Sequence, residues 1–197
     1  MASICSRCSA TAPYADMQVT PLALPEVLLI EPRVFGDERG FFYESWNRRT
    51  FAQAGLDVDF VQDNHSRSRR GVLRGLHYQI EHAQGKLVRA THGAVLDVAV
   101  DLRRHSPCFG DHVAVELSGE NGRMLWIPEG FGHAFLVLTD VAGFAYKVTD
   151  CYNPKGERTI VWNDPDLAIA WPVVPEEAIV SDKDAKGASL ATAEVFA

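Results

Sequence analysis

The chain has 197 residues, 47% of them hydrophobic and 23% charged, a composition that excludes a disordered polymer. Its 26 acidic residues outnumber its 19 Lys and Arg, for a formal net charge of −7, which argues against a nucleic-acid binder. No apolar run approaches the ~20 residues that span a bilayer, and four cysteines are too few for a disulfide scaffold.

Residues 1–16, MASICSRCSATAPYAD, lack a sustained apolar stretch and do not read as a signal peptide. They are expected to be a poorly packed leader, with residues 17–197 forming one domain. Cys5 and Cys8 make a lone C-x-x-C, and a zinc ribbon needs a second such pair. Cys108 and Cys151 are far apart and isolated, and a reducing cytoplasm is the default compartment.

From Val27 onward the chain reads as short, β-branched runs cut by turn chemistry. VLLIEPRVF is followed by the turn GDERG, and a short helix is expected near Arg49 to Ala54, before FVQDNHS. KLVRAT is expected to meet AVLDVAVDL in a tight hairpin at His92-Gly93. Within that second run Asp97 and Asp101 stand among valines, as in a strand buried on much of both faces. HVAVEL leads into SGENG, where Asn121-Gly122 tolerates positive φ. RMLWI, AFLVLT, FAYKVT and TIVW continue at the spacing of a sandwich or barrel. The lack of βαβ alternation and of a Gly-rich phosphate loop argues against a Rossmann or P-loop enzyme. The tail after Pro175 is acidic, then Ala/Ser-rich. It is expected to form a short helix or drape over the barrel, and to fray at its end.

Three stretches carry residues suited to chemistry. In RGLHYQ, strict alternation would put Gly75 and His77 on one face and Arg74, Leu76 and Tyr78 on the other. An imidazole there is either a hydrogen-bonded structural group or a general base. GRMLWIPEGFGHAF has the spacing of the second cupin motif and suggests a jelly-roll hairpin. The H-x-H of a metal-binding first motif is replaced by LHYQ. His77 and His133 then supply two ligands where stable sites take three or four, so a pocket without metal is expected. In FAYKVTDCYNPKGE, Tyr146 and Lys147 would face opposite sides of a strand, with Tyr152 at a turn. An inward tyrosine serves as core or as a general acid. Arg67, Arg69, Arg70, Arg74, Lys86 and Arg89 are either a solvated face or an anion site.

With VFGDERGFFYESWN, FVQDNHSRSRRGVLRGLHYQ, QGKLVRATHGAVLDVAVDLR, LWIPEGFGHAFLVL, YKVTDCYNP and WNDPDLAIAWP in this order, the chain resembles the dTDP-4-dehydrorhamnose 3,5-epimerase family over roughly Pro21 to Asp184. The resemblance implies an all-β, cupin-type double-stranded β-helix (jelly roll) with short flanking helices. It also implies a homodimer, a dTDP-sugar substrate inverted at C3 and C5, and no metal or other cofactor. It implies His77 as base, Tyr146 as acid, Lys86 at the enolate oxygen and Asp184 orienting His77. Arg39, Glu44, Gln62, Asp63, Asn64, Arg74, His133, Glu157 and Lys183 are implied to bind substrate, with Tyr152 stacked on the thymine. The segment DERGFFYE is expected near a dimer interface. The residue types suit this chemistry independently. A cation at the enolate oxygen in a dry pocket contributes about 3 kcal/mol, and a positioned base typically ~10²–10⁴-fold. A single-carbon epimerase on a related nucleotide deoxysugar would use the same residues. A non-catalytic sugar-nucleotide-binding cupin would not need a base facing an acid.

Overall fold

The computed structural model describes residues 17–197, so the expected leader and its C-x-x-C lie outside the described residues. The first half of the fold contains β1 (Gln18–Pro21), β2 (Leu28–Glu31), β3 (Phe35–Asp37), β4 (Gly40–Phe42), α1 (Arg48–Gln53), β5 (Gln62–Arg69), β6 (Leu73–Gln79) and β7 (Lys86–His92). The second half contains β8 (Ala94–Asp101), β9 (His112–Ser118), β10 (Met124–Ile127), β11 (Phe131–Val137), β12 (Val141–Val148), β13 (Glu157–Thr159) and α2 (Asp182–Ala185). Six strands form one sheet in the order β1-β2-β10-β7-β12-β5, and five form the other in the order β13-β6-β11-β8-β9. The hairpin β3-β4 stands apart. This is the all-β jelly roll that the strand spacing and motifs anticipate.

Side-chain burial explains the layers. The inner faces share a core in which Val88, Leu125 and Phe144 of one sheet meet Val95, Leu117 and Phe135 of the other. Each such side chain contributes about 1.5–3 kcal/mol when fully buried. All seven residues of β11 are buried, because its outer face is covered too. The cover comes from the chain after β13: Leu167, Leu190 and Ala193 pack on Leu76, Val98 and Ala134. The helix α1 begins where expected. The Asn47 side chain accepts from the amides of Arg49 and Thr50, and Phe51 anchors the helix in a third apolar cluster.

Three expectations need correction. β7 and β8 do not form a hairpin: β7 pairs with β10 and β12, and β8 with β9 and β11. Gly93, at φ +66°, instead turns the chain from one sheet to the other, because both flanking strands already have partners on both edges. For the same reason GRMLWIPEGFGHAF is not a hairpin; β10 and β11 lie in opposite layers. The tail does not fray. The Phe196 amide donates to the Leu102 carbonyl at 3.1 Å, and the Phe196 carbonyl accepts from the Arg104 amide at 2.8 Å. Its Ala and Leu residues are the cover that an apolar outer sheet face requires.

Gly93 makes the crossover testable. A Cβ there would sit 2.1 Å from the Val141 carbonyl oxygen and 2.4 Å from Thr139 Oγ1. Gly93→Ala is expected to destabilise the domain by about 3 kcal/mol through clash and positive φ. Urea unfolding reads this as a lower midpoint at an unchanged slope. An unchanged midpoint would show that the crossover tolerates a side chain.

Candidate active site

A cavity of about 330 Å³ opens between the two sheets. Along β5 the side chains alternate, with 62, 64, 66 and 68 less exposed than 63, 65, 67 and 69. Asn64 and Ser66 thereby line the cavity. Asp63 points outward, where Lys147 Nζ donates to it at 2.9 Å, so the structure does not bring Asp63 to the cavity. Gln62 sits at the rim, accepting from the Tyr152 amide at 3.0 Å and donating to Asn64 Oδ1 at 2.9 Å.

Strict alternation fails in β6. His77 pairs with His133 of β11, but Arg74 pairs with Phe135, a one-residue shift centred on Gly75 and Leu76. This bulge turns Arg74 and His77 to the same cavity, contrary to the opposite faces expected from period two. Gly75 is required at φ +123°, where a Cβ would meet the His133 carbonyl oxygen at 2.5 Å. Arg74 Nε and Nη2 donate to Ser68 Oγ at 3.2 and 3.1 Å, which fixes the guanidinium.

His77 Nε2 lies 2.6 Å from Asp184 Oδ1. With Nε2–H donated to the carboxylate, Nδ1 keeps its lone pair free to take a proton. Asp184 is carried by α2, whose first turn is capped by Ser181 Oγ accepting from the Asp184 amide at 3.1 Å. Burial pushes the Asp184 carboxyl up. The bond and charge of His77, the Gly75 amide and the Ser181 hydroxyl outweigh it, and the group is held below its ordinary value.

Lys86 is 7% exposed, and its Nζ donates to the His77 carbonyl oxygen at 3.3 Å. Burial pulls its ammonium down to about 8, against the opposing charges of Asp97 and Glu157. On β12, Tyr146 stands in register with Asn64 and lines the cavity. Burial pushes its phenol up, Arg74 opposes this and Glu157 adds to it, so the hydroxyl is a proton donor at neutral pH. His133 Nε2 lies 2.9 Å from Asp97 Oδ2, and its ring stacks on Phe144 at 5.9 Å.

The mouth is a polar chain. Tyr152, 54% exposed, donates its hydroxyl to Glu157 Oε2 at 2.7 Å, and Lys183 forms an ion pair with Glu157. Burial pushes the Glu157 carboxyl up. The bonds to Lys183 and Tyr152 and the charges of Lys183 and His77 bring it below its ordinary value. Gln79 Nε2 donates to the His82 carbonyl at 2.7 Å, and Gln84 Nε2 to the Asp150 carbonyl at 2.8 Å, holding the rim loops.

Arg39 and Glu44 are not brought to this cavity. The Arg39 side chain is 85% exposed and pairs with Asp37, while Glu44 accepts from Asn47 Nδ2 at 2.9 Å and Thr50 Oγ1 at 3.1 Å. The expected basic cluster is dispersed as well. Arg67 and Arg69 are on the exposed face of β5, Arg70 pairs with Asp140, and Arg89 donates to the Tyr43 hydroxyl at 3.0 Å. Of that group Arg74 and Lys86 line the cavity. Among the described residues no three His, Cys, Asp or Glu side chains converge as a metal site requires. Ser68, Gln79 and Asp97 emerge as supporting groups. Of these, Asp97 had a signal in sequence, a carboxylate inside a valine strand.

The family model described as dTDP-4-dehydrorhamnose 3,5-epimerase matches residues 21–192. The dTDP-4-dehydrorhamnose 3,5-epimerase of Pseudomonas aeruginosa is 61% identical over 181 residues, 91% of this chain and 99% of its own. The crystal structure of dTDP-6-deoxy-D-glucose-3,5-epimerase from Legionella pneumophila, in complex with dTDP-4-keto-L-rhamnose, is similar at a TM-score of 0.88 and 51% identity. That match covers 90% of this chain and 95% of the other. A 3'-monoepimerase from Streptomyces bikiniensis, in complex with dTDP-quinovose, is similar at a TM-score of 0.82 and 39% identity, covering 87% of each chain.

Lys86 gives the site a pH signature. A role that needs the ammonium is available below about 8 and lost as pH rises through that value. The kcat/KM profile is expected to fall on its alkaline side near pH 8. Lys86→Arg keeps its charge and should remove that limb, whereas Lys86→Met should lose about 10²-fold below pH 8, with a deficit that narrows above it as wild type loses its own ammonium. A wild-type profile that stays flat to pH 10 would remove the cationic role.

Proposed function

The chain belongs to the dTDP-4-dehydrorhamnose 3,5-epimerase family, and from this premise we propose that it inverts C3 and C5 of dTDP-4-dehydro-6-deoxy-D-glucose, giving dTDP-4-dehydro-L-rhamnose. The observation that carries the proposal is the free Nδ1 of a carboxylate-bonded His77 in the same cavity as the Tyr146 hydroxyl and Lys86. Both carbons flank the C4 ketone, so a proton on either is acidified by the same carbonyl. His77 Nδ1 takes that proton, the C–H electron pair moves into the ring, and negative charge develops on O4. Lys86 Nζ, on a side chain that is itself buried, stabilises that oxygen. Tyr146 then delivers its hydroxyl proton to the carbon from the opposite face, and configuration inverts. Solvent restores the phenol, and His77 releases its proton. One base and one acid serve both carbons when the sugar turns between the two steps.

Binding follows from the same walls. Arg74, held by Ser68, and Lys183, at the mouth, suit the diphosphate, and the exposed Tyr152 ring suits the base. Asn64, His133 and Glu157 in the cavity wall, with Gln62 at its rim, suit hydrogen bonds to sugar hydroxyls. A reducing cytoplasm suits the free Cys108 and Cys151.

We infer a homodimer in which Arg39 and Glu44 serve the site of the second copy. The support is their distance from this chain's own cavity lining and the exposed aromatics beside them, Phe41 at 63% and Phe42 at 58%. The lower identity to the monoepimerase favours two inversions over one.

Two experiments follow. In deuterated water, sugar-proton NMR should show label entering both C3 and C5 with wild-type protein. His77→Ala should lose exchange and inversion together. Asp184→Asn should lower kcat for both by about 10²-fold with little change in KM. Tyr146→Phe should lose most inversion yet keep wash-in with retained configuration, because His77 returns a solvent-exchanged proton to the same face. Inversion at wild-type rate in Tyr146→Phe would place the acid elsewhere, and label at one carbon alone would favour the single-carbon reading. In the second experiment, inactive Arg39→Ala and His77→Ala proteins are unfolded together and refolded as a mixture. If the arm serves the partner, mixed dimers regain an intact site and activity returns. Continued inactivity of dimers shown to be mixed would assign Arg39 to its own subunit.

A further inference from the structure

Asp97 lies in the middle of β8 with no solvent exposure. One carboxylate oxygen, Oδ2, holds His133 Nε2 at 2.9 Å. The other, Oδ1, is buried without a hydrogen-bond partner among the described residues. An unpaired, buried carboxylate oxygen is costly, and one in a native structure calls for an explanation, a role in catalysis among them. In the opposite sheet stands a buried cation, Lys86 on β7. Among the described residues its ammonium donates one hydrogen bond, the long one to the His77 carbonyl oxygen. Such an ammonium needs nearby negative charge to remain protonated.

We propose that Asp97 is a positioning residue of the reaction: Oδ2 fixes the His133 ring, while the charge on the unpartnered Oδ1 side keeps Lys86 a cation aimed at the keto oxygen. This rests on the reading of Lys86 as the enolate stabiliser. The groups facing Lys86 sort into clear roles. Asp97 from β8 and Glu157 from β13 are the carboxylates whose charge reaches it. The other ionisable groups of the cavity wall are His65 on β5, Arg74, His77 and Tyr78 on β6, His133 on β11, Tyr146 on β12 and Tyr152 beyond it. Glu157 is already engaged by Lys183 and Tyr152 at the mouth. Asp97 has an oxygen to spare.

The test exploits the isosteric amide. Asp97→Asn keeps one oxygen to accept from His133 Nε2 and removes only the charge. The alkaline limb of kcat/KM is expected to move about one pH unit or more to lower pH. Lys86→Arg should lack the limb whether residue 97 is Asp or Asn. A limb that stays in place in folded Asp97→Asn overturns the proposal, even if kcat falls, because a purely structural role would lower the rate without moving the limb. A limb that survives in Lys86→Arg overturns the reading of Lys86 itself, a distinguishable failure. If Asp97→Asn does not fold, wild-type protein carrying ¹³C-carboxyl aspartate decides. The Asp97 carboxyl resonance should show an inflection near pH 8, where Lys86 loses its proton. A resonance that is flat through that range overturns the proposal.

Discussion

The hydrogen bond between His77 and Asp184 joins groups 107 positions apart in sequence, and most of the architecture exists to make it. His77 is fixed by β6, which has neighbours on both edges. Asp184 arrives only after the chain has left β13, crossed the outer face of the five-stranded sheet and returned. That passage is tied to β6 at both ends. Leu76 and Ile160 exchange two backbone bonds of 3.1 Å, and the Leu73 amide donates to the Ile179 carbonyl at 3.0 Å. Apolar packing of Trp162, Val173 and Val180 on Leu73 and Leu136 holds the segment between these ties. The buried carboxylate is therefore delivered by a scaffold that cannot shift without exposing core. Such rigidity is needed, because a paired charge that loses its partner in the interior costs several kcal/mol.

The second constraint is stereochemical. Inversion needs proton removal on one face of a carbon and proton delivery on the other. A single sheet presents its side chains on one side of a ligand. Two facing sheets present them on both. His77 belongs to the five-stranded sheet, while Tyr146 and Lys86 belong to the six-stranded sheet. The proposed acid and base thus inherit their opposition from the layer architecture. The crossover at Gly93 and the passage from β10 to β11 matter here, because each moves the chain between layers and keeps the two walls covalently short of one another.

Much of this was legible in sequence, and what was not has physical reasons. Runs of valine and alternating strands gave the β class, and Asn47 and Phe51 explain why the short helix lies where a break in the strand pattern suggested. The pairing of strands was not legible, since KLVRAT and AVLDVAVDL are adjacent in sequence but each finds better neighbours elsewhere. Period-two reasoning misplaced Arg74, because a bulge at one glycine adds a residue that no local pattern announces. Arg67, Arg69 and Arg70 looked like an anion site beside Arg74, yet strand alternation sends two of them outward and Asp140 takes the third. The tail looked loose because Ala and Ser carry little hydrophobic signal. Small residues are nonetheless what lets a backbone lie close against a sheet. Asp97 was visible as a buried carboxylate, but its partner on β11 required the register.

An acidic protein that takes an anionic substrate needs its charges sorted by depth, and the cavity shows that sorting. Three groups facing the cavity are backed by an acceptor behind them: Asp184 behind His77, Asp97 behind His133, Ser68 behind Arg74. Glu157 at the mouth is screened on both oxygens by Lys183 and Tyr152. The net charge of −7 therefore describes the outer surface and not the field a bound diphosphate would meet. In the proposed mechanism, carboxylates in the rear layer keep the front-layer donors charged or correctly oriented. The arrangement carries its own cost, because every rear carboxylate must be desolvated. That cost is smallest where the carboxylate has two partners and largest where one oxygen has none. Asp97 is the position where the structure accepts the larger cost, and Lys86, the most deeply buried cation of the cavity wall, is the group placed to repay it.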